Sequence, residues 1–372
     1  MTPGVKDVLL TLAGNTVTLE EAIEVLAMPP LQQLQSLPTQ GGLGLKSFSI
    51  GQNLFLAFAN FYNGSTHAFQ SPIFRWDGAL FQPFQNIPTQ AAYDIESFEM
   101  ANQSYLTIAN YGPAYHNSTN LYRWNGNQFV LAQQIPTQGG TDSEYFSING
   151  EHYLAIANRD INYTEFNQTS RIYKWNGTQF DEIQGIPTRA AYQWEHQQIG
   201  TQHFLTLVNY DSAQGSQTAD IYQWNGNAFV PFQTLPSNNS LDAEAFNIGS
   251  ESFLALSNYD ANNASNAETL SWIYRWDGAQ FQPFQSFLNK GAHHWKHFNK
   301  DGVDYLILAN DFGGTKIYRW EGPRFELYRT LVGEGAWAWE FIQTGGQEYL
   351  IAVSQYSGPQ GFNTPSTVYK FD

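Results

Sequence analysis

A six-residue motif that returns along the whole chain places the strongest constraint on its fold. It runs from Ile221 to Gly226. Related copies begin at Ile73, Leu121, Ile172, Ile273 and Ile317, and the chain of 372 residues stops inside a seventh copy at Val368. Successive motif tryptophans lie 44 to 52 residues apart. Such a period is typical of repeat proteins, in which each unit needs its neighbours to bury a core.

Each repeat is predicted to fold as four β-strands, as the second unit illustrates. Residues 93–100 alternate between apolar and polar side chains, the period-two pattern of a strand. Residues 105–109 form an apolar run of strand length, and residues 121–133 contain two strands on either side of Asn125 and Gly126. An Asn-Gly step favours a two-residue primed hairpin turn. Four-stranded units repeated around an axis predict a β-propeller.

The two ends of the chain predict how the ring of repeats closes. Residues 31–40 match residues 81–90 position by position, so an outer strand precedes the first complete repeat. The last repeat ends at Asp372, where its outer strand is missing. Pairing the two ends completes a seventh blade and removes the exposed edge of an open array. The sequence therefore predicts an all-β fold, a closed seven-bladed β-propeller over residues 31–372.

Residues 1–30 lie outside the repeat and are predicted to form a helical lead-in. Thr18 is a candidate N-cap, and two glutamates follow it in the first helical turn. Good helix formers continue to Pro29, where a helix would stop. We therefore expect one short N-terminal helix at about residues 19–27.

Composition and charge exclude several classes of partner and site. The chain carries 33 acidic and 17 basic residues, and its net charge of −16 opposes binding to nucleic acid. It contains no cysteine, which excludes disulfides, thiolate metal sites and cysteine nucleophiles. Its apolar runs are shorter than the roughly 18 residues of a membrane span, and no secretory signal pattern is visible. We expect a monomeric propeller without a membrane span.

The motif hairpin and the apolar strand before it resemble a known repeat family. The strand that ends in Ala109 and Asn110 and the hairpin from Tyr122 to Gly126 are similar to EPTP repeats, also called epilepsy-associated or EAR repeats, of the LGI proteins. The resemblance covers about residues 31–372, seven times over. It implies a propeller, recognition of proteins outside the cell after secretion, and a metal ion in the axial channel.

One repeated position is a candidate metal site at the mouth of that channel. It begins each innermost strand and is occupied by Gly44, Asp94, Asp142, Gln193, Asp242, His294 and Ala338. Carboxylates that converge on an axis beside backbone carbonyls suit a hard cation such as calcium. Asp94, Asp142 and Asp242 are the predicted metal ligands, and no organic cofactor is implied. The alternative is that aspartate simply begins a strand after a turn.

Two further rings of charge are predicted to pair with each other. The first strands carry Lys46, Glu96, Glu144, Glu195, Glu244, Lys296 and Glu340. The third strands carry Arg75, Arg123, Lys174, Gln223, Arg275, Arg319 and Lys370. Because a buried charge needs a partner, we expect ion pairs between the two rings, with a structural role.

Long, irregular loops between the second and third strands share one face with the channel mouth. Variable loops on a rigid scaffold are where binding residues concentrate, and tyrosine with aspartate suits polar recognition of a protein or glycan. The candidate ligand-binding residues are Tyr111, Tyr163, Tyr210, Tyr259, Asp160, Asp211, Asp260 and Asp311, with His294 beside the mouth. The alternative is that some of these rings lie back on the blades.

The sequence contains no established catalytic motif. It lacks HExxH, GxSxG and phosphate-binding glycine patterns, so no residue is assigned a catalytic role. The favoured interpretation is a non-enzymatic binding module for a protein partner, with a metal ion at the mouth. Two alternatives remain: an enzyme that uses the three aspartates and His294 as acid–base groups, and a lectin-like propeller that binds carbohydrate.

Overall fold

The structure is a computed structural model. It describes residues 5–12, 15–24, 30–112, 117–161, 164–210, 218–259, 268–331, 336–355 and 361–371. Within these ranges the chain forms 30 β-strands and no helix. It divides into two compact units, residues 1–32 and residues 33–372. The all-β prediction is confirmed.

The N-terminal unit contains a β-hairpin, and the helix predicted at residues 19–27 is wrong. Strand β1 (Val5–Leu12) pairs antiparallel with β2 (Asn15–Glu24). Each strand supplies backbone hydrogen-bond partners to the other, whereas an isolated helix shorter than about 12 residues is marginal in water. The Thr, Val and Thr at 16–18 are β-branched and also favour a strand. Residues 25–29 lie outside the described residues.

Seven four-stranded antiparallel sheets form the blades of the propeller. Blade 1 contains β4 (Gly42–Ile50), β5 (Asn53–Asn60), β6 (Ala68–Trp76) and β7 (Phe81–Gln90). Blade 2 contains β8 (Ala92–Met100), β9 (Gln103–Asn110), β10 (Asn117–Trp124) and β11 (Phe129–Thr137). Blade 3 contains β12 (Gly140–Ile148), β13 (Glu151–Asn158), β14 (Asn167–Trp175) and β15 (Phe180–Arg189).

Blades 4 to 6 repeat the same order, with the first strand of each blade lining the axial channel. Blade 4 contains β16 (Ala191–Ile199), β17 (Gln202–Asn209), β18 (Thr218–Trp224) and β19 (Phe229–Pro236). Blade 5 contains β20 (Ser240–Ile248), β21 (Glu251–Asn258), β22 (Thr269–Trp276) and β23 (Phe281–Asn289). Blade 6 contains β24 (Ala292–Lys300), β25 (Val303–Asn310), β26 (Thr315–Trp320) and β27 (Phe325–Leu331).

Blade 7 closes the ring with strands from both ends of the repeat region. It contains β28 (Ala336–Thr344), β29 (Gln347–Ser354), β30 (Ser366–Lys370) and, as outer strand, β3 (Gln32–Leu37). The hydroxyl oxygens of Thr39 and Ser366 lie 2.8 Å apart, and the Ser366 N–H donates to Thr39 Oγ1 at 2.9 Å. Leu37 is fully buried. The predicted closure and the seven blades are confirmed.

Aromatic side chains fill the space between neighbouring blades. The ring of Trp224 in blade 4 lies 5.5 Å from that of Tyr153 in blade 3. The ring of Trp276 in blade 5 lies 5.2 Å from that of Phe204 in blade 4. These motif tryptophans are half-buried and pack their rings against the neighbouring blade.

The motif hairpins turn through four residues, so the two-residue primed turn is wrong. Residues 125–128 separate the paired strand ends. Asn125 Oδ1 accepts the N–H groups of Asn127 at 3.0 Å and Gln128 at 2.9 Å. Of the Asn-Gly step only Gly126 has a positive φ, 97°, whereas a type I′ turn needs it at both central residues. The side-chain carbonyl shapes the turn, which explains why asparagine or aspartate occupies its first position in blades 1 to 5. Blade 6 has Glu321 there.

A glutamine on the outer strands ties neighbouring blades together. Gln233 Nε2 donates to the Phe281 carbonyl at 2.8 Å, and its Oε1 accepts the Phe281 N–H at 2.9 Å. The same paired contact joins Gln35 to Phe81, Gln85 to Phe129, Gln133 to Phe180, Gln184 to Phe229 and Gln285 to Phe325. We call these six contacts the glutamine latches. They satisfy backbone groups that the blade's own ladder leaves unpaired.

Candidate functional site

The first strand of each blade begins with a β-bulge beside the channel mouth. In blade 2, Ala91 has a φ of 49°, and the pairing of β8 with β9 shifts register between Ala92 and Asp94. Tyr93 is the extra residue, and a bulge re-aims such a side chain. The residues at this position line an axial cavity of about 170 Å³ and are named the mouth ring: Leu43, Tyr93, Thr141, Tyr192, Leu241, His293 and Trp337.

A second ring lies where the second strands end. The Tyr111 N–H donates to the carbonyl of the positive-φ residue Ala91 at 3.0 Å. Asn110 holds the same corner, because its Oδ1 accepts the Gln90 N–H at 3.0 Å and its Nδ2 donates to the Ser118 carbonyl at 2.9 Å. The residues that make the contact seen at Tyr111 are named the collar: Phe61, Tyr111, Arg159, Tyr210, Tyr259 and Asp311.

Aromatic contacts join the mouth ring to the collar around most of the channel. The hydroxyl oxygens of Tyr93 and Tyr192 lie 2.8 Å apart, which links blade 2 to blade 4. Aromatic pairs contribute about 0.5–1.5 kcal/mol each beyond their buried area. Centroids lie 3.9 to 5.9 Å apart along the series Phe61, Tyr93, Tyr192, Tyr210, Tyr259, His293 and Trp337. We call the mouth ring and the collar together the rim. These contacts make the rim a preformed, largely aromatic surface.

Arg159 is the cation of the collar and rests on tyrosine faces. Its guanidinium carbon lies 5.9 Å from the ring centre of Tyr111 and 5.3 Å from that of Tyr210. Its Nη1 lies 3.6 Å from Asp160 Oδ2. Burial opposes the charged form, but Tyr93, Tyr111, Asp160 and Tyr192 together outweigh it and raise the pKa of Arg159. The rim thus contains one permanent positive charge.

His293 and Asp311 form a polar pair on the opposite part of the rim. His293 Nε2 lies 2.5 Å from Asp311 Oδ1, and the Tyr259 hydroxyl donates to Asp311 Oδ2 at 3.0 Å. Burial would raise the pKa of Asp311, but the hydrogen bond and charge interaction with His293 and the hydrogen bond from Tyr259 together outweigh it, and the pKa lies below its ordinary value. Asp311 is therefore a carboxylate that accepts the Nε2 proton. The His293 ring also lies 3.9 Å from that of Trp337.

The predicted ligand-binding residues divide into three groups. Tyr111 and Asp160 are buried, and the Tyr111 hydroxyl donates to Asp160 Oδ2 at 2.6 Å, so both build the rim. Tyr210 and Tyr259 are half-buried and Asp311 is exposed at the rim. The remaining three lie outside the described residues: Tyr163, Asp211 and Asp260. His294 lies one residue further into the channel than the mouth ring.

The three aspartates predicted to bind a metal line the channel at the level of His294. Asp142 Oδ2 accepts the Trp194 N–H at 2.8 Å. Asp242 Oδ2 accepts the Trp295 N–H at 2.7 Å. Asp94 makes a longer contact of the same kind. Burial raises the pKa of all three carboxyls, that of Asp94 to about 7. Each aspartate thus binds the first strand of the next blade.

The contacts of the three aspartates leave few oxygen atoms for the predicted calcium ion. Among the residues that the structure describes, no three acidic or histidine side chains stand close enough to hold one metal ion. Calcium takes six to eight oxygen ligands, whereas one oxygen of each aspartate already serves a neighbouring backbone. Burial and Lys296 lower the pKa of His294 to about 3, so its imidazole is neutral at pH 7. The geometry does not assemble a calcium ligand set, and the ion stays a prediction.

The glutamates of the first strands bind backbone, and their predicted pairing with third-strand cations is wrong. Glu144 Oε1 accepts the His196 N–H at 3.1 Å. Lys174, its expected partner, instead has its Nζ 3.2 Å from Glu151 Oε2. The second strand lies between the two rings, which sets them roughly 9–10 Å apart within a blade. The lysines of the glutamate ring pair inside it, since Lys46 Nζ lies 2.6 Å from Glu96 Oε2.

Stability is expected to fall as the pH rises from about 6.5 to 8. Burial and Glu96 raise the pKa of Glu144 to about 8 and that of Asp94 to about 7, from ordinary values near 4. The folded protein therefore binds more protons than the unfolded chain in this window, and the free energy of unfolding decreases with pH. Below about pH 6.5 the lowered pKa of His196 and His294 acts in the opposite direction. We expect a lower melting temperature at about pH 8.5 than at about pH 6.5.

Glu144→Gln tests this pH dependence, because it removes the charge and keeps an acceptor for the His196 N–H. The variant should melt higher than the unsubstituted protein at about pH 8.5 and show a flatter pH profile. Glu251→Gln removes an exposed carboxylate of the same kind and is the matched control. An identical slope in the Glu144 variant and the control would contradict the pKa argument.

Comparison with protein families explains the repeat. The EPTP domain model matches the chain seven times, at residues 32–77, 80–125, 128–176, 179–225, 228–277, 280–321 and 324–372. The chain belongs to the EPTP domain family. An EPTP unit such as 80–125 begins with the outer strand of one blade and ends with the third strand of the next. Family units and blades are thus offset by one strand, the same offset that closes blade 7.

Two curated relatives carry the repeat in their names. The chain is 30% identical over 150 residues to the thrombospondin-type laminin G domain and EAR repeat-containing protein of Homo sapiens, and 32% over 149 residues to that of Mus musculus. These matches cover 40% and 39% of this chain but 22% of each relative. The described part of this EPTP propeller has no helix long and apolar enough to cross a membrane.

Sequence reasoning missed several residues of the rim. Tyr93, Tyr192 and Trp337 escape sequence reasoning because alternation alone does not show a bulge. A signal is present in the small-residue pairs that precede the bulge, such as Ala91-Ala92, since a positive φ and a tight corner leave little room for side chains. Arg159 stands at a position that three other units fill with tyrosine.

Proposed function

We propose that this EPTP propeller is a non-enzymatic binding module that recognises a protein partner through the face around the channel mouth. The rim is the main support for this proposal. Its two rings bring aromatic and polar side chains from all seven blades to the face that also contains the long loops. Binding residues concentrate in loops on rigid scaffolds, and a closed ring of blades is such a scaffold. An extracellular site of action, expected from the family resemblance, is part of this proposal.

The exposed part of the rim offers the side chains that protein interfaces favour. Tyr210, Tyr259 and Trp337 are half-buried, and the side chain of Phe312 beside Asp311 is 42% exposed. Aromatic rings held by a preformed surface lose little conformational entropy when a partner covers them. Half-buried tyrosines also keep a polar end for water when the partner is absent. Together they suit a partner with apolar side chains and a polar margin.

Capture of a partner followed by substitution at the rim tests the proposal. Immobilised protein is expected to retain a partner from extracellular fluid or cell-surface extract. Phe312→Ala combined with Trp337→Ala should weaken that complex at least about tenfold, because aromatic residues dominate interface energies. Leu131→Ala is the matched control, since Leu131 is 51% exposed on an outer strand near the opposite face. Equal affinities of the rim variant and the control would refute recognition at the rim.

Calcium at the channel mouth is a second part of the proposal, supported by the three aspartates and the family resemblance. The proposal predicts a saturable heat when calcium is titrated into chelator-treated protein. Asp142→Asn with Asp242→Asn should remove that heat, whereas Asp77→Asn, at an exposed hairpin turn, should keep it. No heat from the unsubstituted protein would reject calcium and leave the capture experiment unaffected.

A further inference from the structure

Charge in the axial channel is divided unequally around the axis. The first strands of blades 2 to 5 place seven carboxylates along the cavity: Asp94, Glu96, Asp142, Glu144, Glu195, Asp242 and Glu244. The other three blades contribute Lys46, Lys296 and Glu340. Both lysines already form ion pairs. Lys46 Nζ lies 2.6 Å from Glu96 Oε2, and Lys296 Nζ lies 3.5 Å from Glu340 Oε2. One side of the channel therefore concentrates acidic side chains that outnumber the nearby cations.

Most carboxylates on that side form no ion pair. Of the seven, only Glu96 does so among the described residues. Asp142, Glu144 and Glu195 are three of the six that do not. Each accepts one backbone N–H from the next blade, which leaves its second oxygen for another donor. Burial and neighbouring carboxylates raise the pKa of all three, that of Glu144 to about 8. Such shifts are expected where protein does not neutralise clustered negative charge.

A buried ring nitrogen without a hydrogen-bond partner lies in the same cavity. The side chain of His293 is 1% exposed and lines the channel. Its Nε2 bonds Asp311, and no described atom bonds its Nδ1. A buried polar atom without a partner is destabilising. A hydrogen-bonding group of a ligand at the mouth would satisfy it.

The aromatic rim already holds a cation of this chain. The guanidinium of Arg159 lies 5.3 Å from the ring centre of Tyr210 and 5.9 Å from that of Tyr111. The faces of tyrosine and tryptophan attract cations within about 6 Å. Tyr192 and Trp337 of the mouth ring line the same cavity as the carboxylates, so a cation that enters meets further rings.

We propose that the axial channel binds a primary alkylammonium group, with its nitrogen at Glu144 and Glu195 and its alkyl chain leading out past the mouth ring. An ammonium donates three hydrogen bonds from one atom, which suits single oxygens on carboxylates that stay bonded to a neighbouring blade. The cavity of about 170 Å³ exceeds the space for one water roughly tenfold and accommodates a slim alkyl chain. A second hydrogen-bonding group of the same ligand would meet His293 Nδ1.

Two sources share this chemistry, a free short diamine or polyamine and a lysine side chain of another protein. Isothermal titration of the full chain, after chelation of divalent metals, distinguishes them with 1,4-diaminobutane, spermidine and Nα-acetyl-lysine methylamide. 1,4-Butanediol is the uncharged analogue. We expect a saturable one-site heat from at least one amine and none from the diol. Binding of the diamines alone identifies a free amine, and binding of the lysine derivative alone identifies a protein lysine.

Two channel variants complete the test. Glu144→Gln and Glu195→Gln keep an acceptor for the backbone N–H and should each weaken amine binding at least tenfold. Glu251→Gln, which removes an exposed carboxylate, should bind within twofold and controls for net charge.

Several outcomes would overturn the amine site. They are an absence of heat from every amine, an equal heat from the diol, and unchanged affinity in both channel variants while their melting transitions stay intact. The site lies in the channel, whereas the proposed partner binds the rim. Failure of amine binding therefore leaves the capture result standing, and a failed capture leaves the amine result standing.

Discussion

Deletion of residues 1–40 is expected to abolish cooperative unfolding of the propeller. It removes β3, the outer strand of blade 7, together with the buried Leu37 and both hydrogen bonds between Thr39 and Ser366. The latch from Gln35 to blade 1 is lost as well. The third strand of blade 7 then becomes an unpaired edge, and such edges promote association. We expect low soluble yield and a broad transition in scanning calorimetry.

Deletion of residues 1–29 is the matched control. It removes the N-terminal hairpin and keeps β3 with all of its contacts to blade 7. We expect its melting temperature to lie within about 3 °C of that of the full chain, a shift of about 1 kcal/mol or less. If the longer deletion melted as sharply and as high as the shorter one, closure of the ring by β3 would not contribute to stability.

Trp295→Ala is expected to lower the free energy of unfolding by about 3–5 kcal/mol. The indole is fully buried in blade 6, where its ring lies 5.4 Å from that of Phe287 in blade 5 and 6.2 Å from that of Tyr318. Removal of the ring leaves a cavity between two sheets. The sheets are held in place by their own ladders, so the cavity cannot collapse fully and the contacts are lost. Urea denaturation with a two-state fit measures the change.

Leu327→Ala provides the comparison for this substitution. Leu327 is 56% exposed on the outer strand of blade 6, so its removal exposes little new surface and should change stability by less than about 0.5 kcal/mol. A loss below about 1 kcal/mol for Trp295→Ala would show that the neighbouring blades repack around the missing indole. That result would contradict the rigid inter-blade packing described above.

The propeller could be predicted because the sequence contains seven copies of one structural unit. Errors in a single copy are corrected by the others, and the match of residues 31–40 to 81–90 gave an independent view of the closure. The helix at about residues 19–27 had no such check. Local propensity favoured a helix there, but pairing across a hairpin, which depends on residues ten or more positions away, decided the outcome.

Only part of the candidate site could be predicted, because its contacts join residues that lie far apart along the chain. Alignment of the units placed Asp94, Asp142 and Asp242 on one ring, and the structure has all three lining the channel. Their partners could not be predicted, because each bonds a backbone N–H about 50 residues away in the next blade. Alignment compares units with one another and carries no information on what one unit touches in its neighbour. The charge pairing failed for the same reason.

The glutamine latches have a mechanical consequence. They join outer strands, so they lie at the widest circumference of the propeller and span six boundaries between blades. Blades 1 to 5 have a latch on each side, so one of them that swings outward must stretch both, and the load passes to the neighbouring blades. The latches thus form a belt under tension that runs from blade 7 through blade 1 to blade 6. A pull on one part of the face is shared along this belt.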